Sequence, residues 1–234
     1  MMKQLLHASY RSAALVMVAL LAGCAGQATE FHRYTLPLAD QRPAEPGVSL
    51  PDSAPTVAVS SVRLADYLDG QGVVYQTSDI EVNEAQTNLW ADNLSAQLTR
   101  SLQRTLGDQL SDHRVLGETL AGDRADTGVR VTLSRFQGRY DGLAVLAGQY
   151  QLRDAGGNLL TQQHFDLQRP LEDDGYPALV RTLSQGWESV GEQIAAEITR
   201  QERSNAGADA SANRSPAPST QSAPAGSPRG TDGS

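Results

Sequence analysis

One cysteine and one lysine in 234 residues are the scarcities that first narrow the reading of this chain. A lone cysteine, Cys24, cannot close an internal disulfide, so the fold must be held by its core even in an oxidising compartment. Lys3 is the only lysine, which leaves arginine as every later cation. No basic patch or stripe emerges, and that argues against nucleic acid and against an electrostatic grip on anionic lipid. Catalytic patterns are missing as well. The chain has no HExxH, no His-x-His pair, no GxSxG and no phosphate-cradling glycine loop followed by Lys-Ser/Thr. His32, His113 and His164 stand isolated, and His164 alternates with residues expected to face water. Glu172-Asp173-Asp174 is the densest carboxylate group, best read as a complement to a following helix start. Glu188 and Glu192 share a helix face without a nearby histidine, as on a solvated surface. The expectation is a noncatalytic protein with no cofactor and no metal.

What is present begins with Leu21-Ala22-Gly23-Cys24, a lipobox. Ahead of it lie basic residues (Lys3, His7, Arg11) and an apolar run from Ala13 to Leu21. These are the n-region, h-region and small-residue cleavage site of a secretory signal. The run is too short for a membrane span, which needs about 20 residues. Cys24 is therefore expected to carry thioether-linked diacylglycerol and an N-acyl chain, and several acyl chains make a durable anchor. Ala25, not Asp, follows the cysteine, which in a Gram-negative bacterium favours the periplasmic face of the outer membrane. Residues 1–23 are then a signal peptide. The mature chain carries 17 basic against 27 acidic residues, a net charge of −10 suited to periplasmic solubility.

Cys24 to Glu30 is a short leash, reaching at most about 25 Å when extended. Phe31 to Leu38 reads as a strand, followed by a connection punctuated by Pro43, Pro46, Pro51 and Pro55. Thr56 to Leu64 alternates and is rich in β-branched residues, predicting one strand. Gly72 to Gln76 and Ile80 to Asn83 predict two short ones. A first helix is expected from Leu89 to about Leu110, capped by Thr87 or Asn88, with Trp90, Leu94, Leu98, Leu102, Leu106 and Leu110 facing a core. After His113 to Gly117 a loop runs through Gly122 and Gly128. Val129 to Arg139, Leu143 to Asp154 and Asn158 to Gln168 then read as consecutive hairpin strands, with glycines in both turns.

The second helix is expected from about Pro177 to Arg200. Val180, Leu183, Trp187, Val190, Ile194 and Ile198 form the clearest helical stripe in the chain. Gly186 and Gly191 inside it each cost about 1 kcal/mol relative to alanine, which close packing would justify. Residues 201–234, dominated after Ser204 by Ser, Ala, Pro, Gly and Asn, are expected to be a disordered tail. The fold class is α+β: a mostly antiparallel sheet with two long helices packed on one face, both tryptophans buried, and that tail. The folded domain spans 24–200.

A partner contact is expected in the turn Asp66-Tyr67-Leu68-Asp69, where Tyr67 and Leu68 stand between acidic residues that hold the segment near water. The alternative is that Tyr67 and Leu68 fold back as a plug of the core.

The stretch from Val57 to Leu110 resembles the ABC-type transport auxiliary lipoprotein family, the PqiC/YmbA-like lipoproteins. The matching pieces are a β-strand, the turn Asp66 to Asp69, the Val73-Val74-Tyr75 strand and a Trp-Ala-Asp-x-Leu helix start at Trp90 to Leu94. Tyr34 to Leu36 and the late helix "LVRTLSQGWESVGEQIAAEI" also fit, so the likeness covers about residues 24 to 200. The resemblance implies a noncatalytic outer-membrane lipoprotein of a lipid-transport system that supports envelope integrity. It implies a periplasm-spanning MCE-domain protein as partner, docked at the outer membrane, and a homo-oligomeric ring. Two other classes stay open: a lipid carrier with an apolar pocket between sheet and helices, and an envelope-assembly or peptidoglycan-associated lipoprotein.

Overall fold

A computed structural model describes residues 29–37, 50–117 and 125–212, so Cys24 and residues 213–234 lie outside the described part. Among the described residues nine strands and two helices follow in chain order: β1 (His32–Tyr34), β2 (Thr56–Val59), β3 (Arg63–Leu64), β4 (Gly72–Gln76), β5 (Val82–Trp90), α1 (Leu94–Gln109), β6 (Arg114–Gly117), β7 (Thr127–Arg139), β8 (Leu143–Asp154), β9 (Leu159–Pro170) and α2 (Tyr176–Ala212). A 3-10 turn, Asp66–Leu68, links β3 to β4.

All nine strands belong to one sheet, and β7 is its junction. Along one edge β7 pairs with β8, which pairs in turn with β9, an antiparallel meander. Along its other edge the incoming chain is laid down in parallel steps: Val57 opposite Thr127, Arg63 opposite Thr132, Tyr75 opposite Gly138. β5 is antiparallel to β4, while β1 lies parallel to β5 and β6 parallel to β2. The sheet is therefore mixed: its long ladders are antiparallel, as expected, but its short ones are parallel, which the sequence reading did not foresee. The α+β class with two helices stands. Thr56, Val57, Ala58 and Val59 are all buried because β2 lies between two other strands, where a strand reads as a continuous buried run.

β7 alternates as a half-buried strand should. Val129, Val131 and Leu133 point into the core; Arg130, Thr132 and Ser134 point away from it. A register shift at Leu133–Arg135 inserts one residue, which returns Phe136 to the core face. On that face Leu146, Tyr150, Leu152 and Phe165 continue the core, and both helices pack over it. The opposite face is polar, with Gln151 bonded to Gln162, Gln162 to Gln149, and Arg135 paired with Asp166.

Both tryptophans are buried, Trp90 at 4% and Trp187 at 1% exposure. The stripe Val180, Leu183, Trp187, Val190, Ile194 and Ile198 is buried throughout. Trp187 also donates its indole N–H to the Leu98 carbonyl at 3.1 Å, tying the helices together. The two glycines of that helix sit where a side chain would collide. A Cβ at Gly186 would stand 2.8 Å from Leu146, and one at Gly191 2.7 Å from Thr105 of α1.

Several expected elements come out differently. Of the described residues in Phe31 to Leu38 only His32–Tyr34 is strand, and Ile80 to Asn83 is not a short strand but overlaps the start of the nine-residue β5, with Ile80 in the connection before it. Trp90 ends a strand and does not begin a helix. Residues 88–91 are claimed from both sides, by β1 and by the Gln71 carbonyl that accepts from the Trp90 amide. The helix starts at Leu94, capped by Asn93, whose side chain accepts from the Ala96 amide at 3.0 Å. The single strand expected over Thr56 to Leu64 is split at Ser60–Val62. There α1 takes hold of Val62: its amide donates to Thr99 and its carbonyl accepts from Ser95. Arg114–Gly117, which the sequence reading did not assign, forms β6. Finally, α2 continues twelve residues past Arg200 to Ala212, so the expected tail begins as helix. No proline interrupts that stretch before Pro216, and its alanines and charged residues favour helix. Residues 213–234 of the expected tail lie outside the described part.

Candidate functional site

The turn proposed as a contact divides its two apolar residues between inside and outside. The Leu68 amide donates to the Ala65 carbonyl and the Asp69 amide to the Asp66 carbonyl, closing the 3-10 turn. Leu68 is 1% exposed and part of the core, which takes it out of any exposed pair and makes it the plug. Tyr67 is 40% exposed. Its hydroxyl lies 2.8 Å from both the Ser134 carbonyl oxygen and Gln137 Oε1, and its single proton goes to one of them. Burial pushes the phenol above its ordinary value, with nearby Arg135 pulling the other way. Asp66 and Asp69 are exposed on either side. The result is a rigid aromatic ring face held at the surface by its tip, between two carboxylates. That arrangement suits a contact made by ring area.

His113, isolated in sequence, is held at both ring nitrogens. Its ring is buried with Nδ1 2.7 Å from Asp112 Oδ1 and Nε2 2.7 Å from Glu202 Oε1. Carboxylates only accept, so both bonds form together when the ring is an imidazolium donating from each nitrogen. Burial alone would lower the pKa of His113; the bonds to Glu202 and Asp112 outweigh it and hold the ring above the usual histidine value. The cluster ties the extended end of α2 to the α1–β6 corner. Sequence reading missed it because Glu202 is 89 residues away, inside the segment expected to be disordered.

The other expected groups stay apart. His32 and His164 are exposed, as are Glu172, Asp173 and Asp174. Glu188 is pushed up by burial and by Glu192 one turn further along α2, and the two line a small groove shared with α1. Among the described residues no group of three or more His, Cys, Asp or Glu side chains could hold a metal. No helix among them is long and apolar enough to cross a membrane.

Two further surface grooves lie among the described residues. One, about 750 Å³, is polar and lies along the β3–β7–β8 surface with Arg63, Thr132, Gln149 and Arg153 in its wall. The other, about 380 Å³ and mostly apolar, lies at the β7–β8 turn against Tyr75, Gly138, Tyr140, Leu171 and Tyr176. Tyr75 and Tyr176 meet there edge to face, with centroids 6.2 Å apart.

Residues 34–195 match the family described as the ABC-type transport auxiliary lipoprotein component. The chain belongs to that family. It is 37% identical over 183 residues to the intermembrane transport lipoprotein PqiC of Escherichia coli strain K12, covering 77% of this chain and 92% of PqiC. PqiC of Shigella flexneri matches equally. Among solved structures, an uncharacterised protein 36% identical in sequence superposes with a TM-score of 0.62 over 72% of this chain and 99% of its own. A Xanthomonas campestris protein, only 15% identical, shares the fold with a TM-score of 0.60 over 75% of this chain and 98% of its own. Family membership makes this a lipoprotein of a transport system and so a membrane-associated component of the cell envelope.

Proposed function

We propose that this lipoprotein is the outer-membrane component of an MCE-type intermembrane lipid transport system. It is anchored by acylated Cys24 on the periplasmic face, docks the periplasm-spanning MCE-domain protein there, and so supports envelope integrity. It acts as a homo-oligomeric ring and performs no catalysis. The observation that carries this reading is the family match over residues 34–195 downstream of a lipobox. The filled core supports docking over lipid carriage. A carrier needs an apolar pocket between sheet and helices, and that space is occupied by Leu98, Leu102, Phe136, Leu146, Trp187 and Ile194. Tyr67 is the contact residue we assign, for a subunit or for the MCE protein, since its ring is exposed and its position is fixed by β7.

The deciding experiment is crosslinking in native membranes followed by purification of the lipoprotein. An MCE-domain protein should co-purify, and Tyr67→Ala should weaken its recovery or the ring while leaving circular dichroism unchanged. Recovery of sacculus or an outer-membrane assembly machine, with no MCE protein, would refute the assignment. Cys24→Ala should release the protein from the membrane fraction.

A further inference from the structure

Among the described residues, Phe31, Tyr67, Ile80, Val82, Tyr140 and Leu159 are the large apolar side chains left exposed. Three of them, Ile80, Val82 and Tyr140, gather at one end of the sheet. That end is built from the β4–β5 connection and the β7–β8 turn, which are neighbours because β4 runs parallel to β7 with Tyr75 opposite Gly138. Ile80 sits at the apex of its connection and is 89% exposed. Tyr140 is 60% exposed beside the apolar groove.

The leash leads toward this same end. β1 is parallel to β5, with His32 opposite Asn88 and Tyr34 opposite Trp90. Traced backward from His32, the chain direction is therefore that of β5 toward Val82, and Phe31, 59% exposed, is its first residue on that course. Eight residue steps separate His32 from Cys24, a contour of at most about 29 Å. Six steps of β5 from Asn88 to Val82 span about 20 Å. That contour is long enough for Cys24 to stand level with Ile80.

We infer that this end is a membrane-contact surface, on which Ile80 and Tyr140 enter the headgroup boundary of a zwitterionic bilayer. The inference rests on the lipidation of Cys24 proposed above. Tyrosine suits that boundary because its ring is apolar and its hydroxyl is wet. Tethering supplies the local concentration that a few side chains could not supply alone. The charge at this end decides which lipid it meets. Asp79, Glu81 and Glu172 to Asp174 stand there exposed, while Asp141 is engaged by Arg139. Uncompensated carboxylates repel an anionic surface within a Debye length, so the contact is apolar and favours neutral headgroups.

The test uses the full, lipidated protein in phosphatidylcholine–phosphatidylethanolamine vesicles. Cys24 is the sole cysteine and its sulfur is in the thioether, so Ile80→Cys, Tyr140→Cys and Leu159→Cys each introduce one free thiol for a polarity-sensitive fluorophore. Leu159 follows the β8–β9 turn at the opposite end. Labels at 80 and 140 should shift to shorter wavelength and lose intensity to headgroup-nitroxide lipids, while the label at 159 stays aqueous. Adding phosphatidylglycerol at low salt should reverse the shift at 80. Aqueous emission at 80 and 140 from protein whose amino-terminal peptide is acylated by mass would overturn the membrane contact. So would shielding that appears only when a basic protein partner is added. An unacylated peptide overturns the anchor, and this inference with it, and is recognised by mass alone.

Discussion

The two edges of β7 carry structures built by different rules. On one side β8 and β9 pair along almost their whole length through two short turns, so each strand finds its neighbour within a few residues. On the other, β2, β3 and β4 each meet β7 over a few residues only, in parallel and across a long sequence separation. Short parallel ladders close large loops for few hydrogen bonds, and that closure entropy must be offset elsewhere. Here it is offset by burial: Val57, Val59, Val62 and Leu68 all join the core that α1 and α2 cover. The meander is a local structure that the helices complete, whereas the N-terminal half depends on β7 already being in place.

The largest test of that dependence is Leu146→Ala in β8, against the Gly186 surface of α2. It should cost about 2–5 kcal/mol through lost burial and a cavity, and urea should still unfold both halves in one transition. Two separated transitions would show that the halves stand independently. Next is Glu202→Gln, which breaks the clasp holding the end of α2 to the N-terminal half at His113. The His113 pKa is raised on folding, so the stabilisation is fully present below pH 6.5 and is lost as pH rises through the raised value. The variant should therefore lose on the order of 1 kcal/mol near pH 6, an estimate discounted for the partial exposure of Glu202, and much less at pH 9. Asn93→Ala should cost about 1 kcal/mol by uncapping α1. Asn88→Ala, at the cap expected from sequence, should remove the hydrogen bond from the Tyr34 hydroxyl and the one Asn88 donates to Thr87, and leave helix content unchanged by circular dichroism. The smallest effect belongs to truncation after Ala212, which should leave the melting temperature unchanged, since the clasp at Glu202 is retained. A large loss would mean that residues 213–234 pack on the fold.

Much of this could be read from residue spacing, because burial leaves a periodic trace. The α2 stripe, the alternation of Val129, Val131 and Leu133, and the glycine turns of the meander all appear where the pattern puts them. The row from Trp90 to Leu110 shows the limit. Its four-residue spacing correctly marks every member as buried, yet Trp90 lies in a strand, because a single apolar residue satisfies either period and only the flanking strands decide. Tyr67 and Leu68 could not be told apart in the sequence for the same reason: a turn has no period from which to read a direction.

By itself, then, the sequence determined which members of the helical stripes and of β7 would be buried, where the hairpins of the meander turn, the lipobox at Cys24 and the want of any of the catalytic motifs sought. Only the tertiary structure decided the parallel pairing of β2, β3 and β4 along β7, the break at Val62, the burial of Leu68 and the pairing of His113 with Glu202. Those features depend on groups tens of residues apart competing for the same backbone donors, acceptors and core volume, and that competition is settled only when the chain is folded.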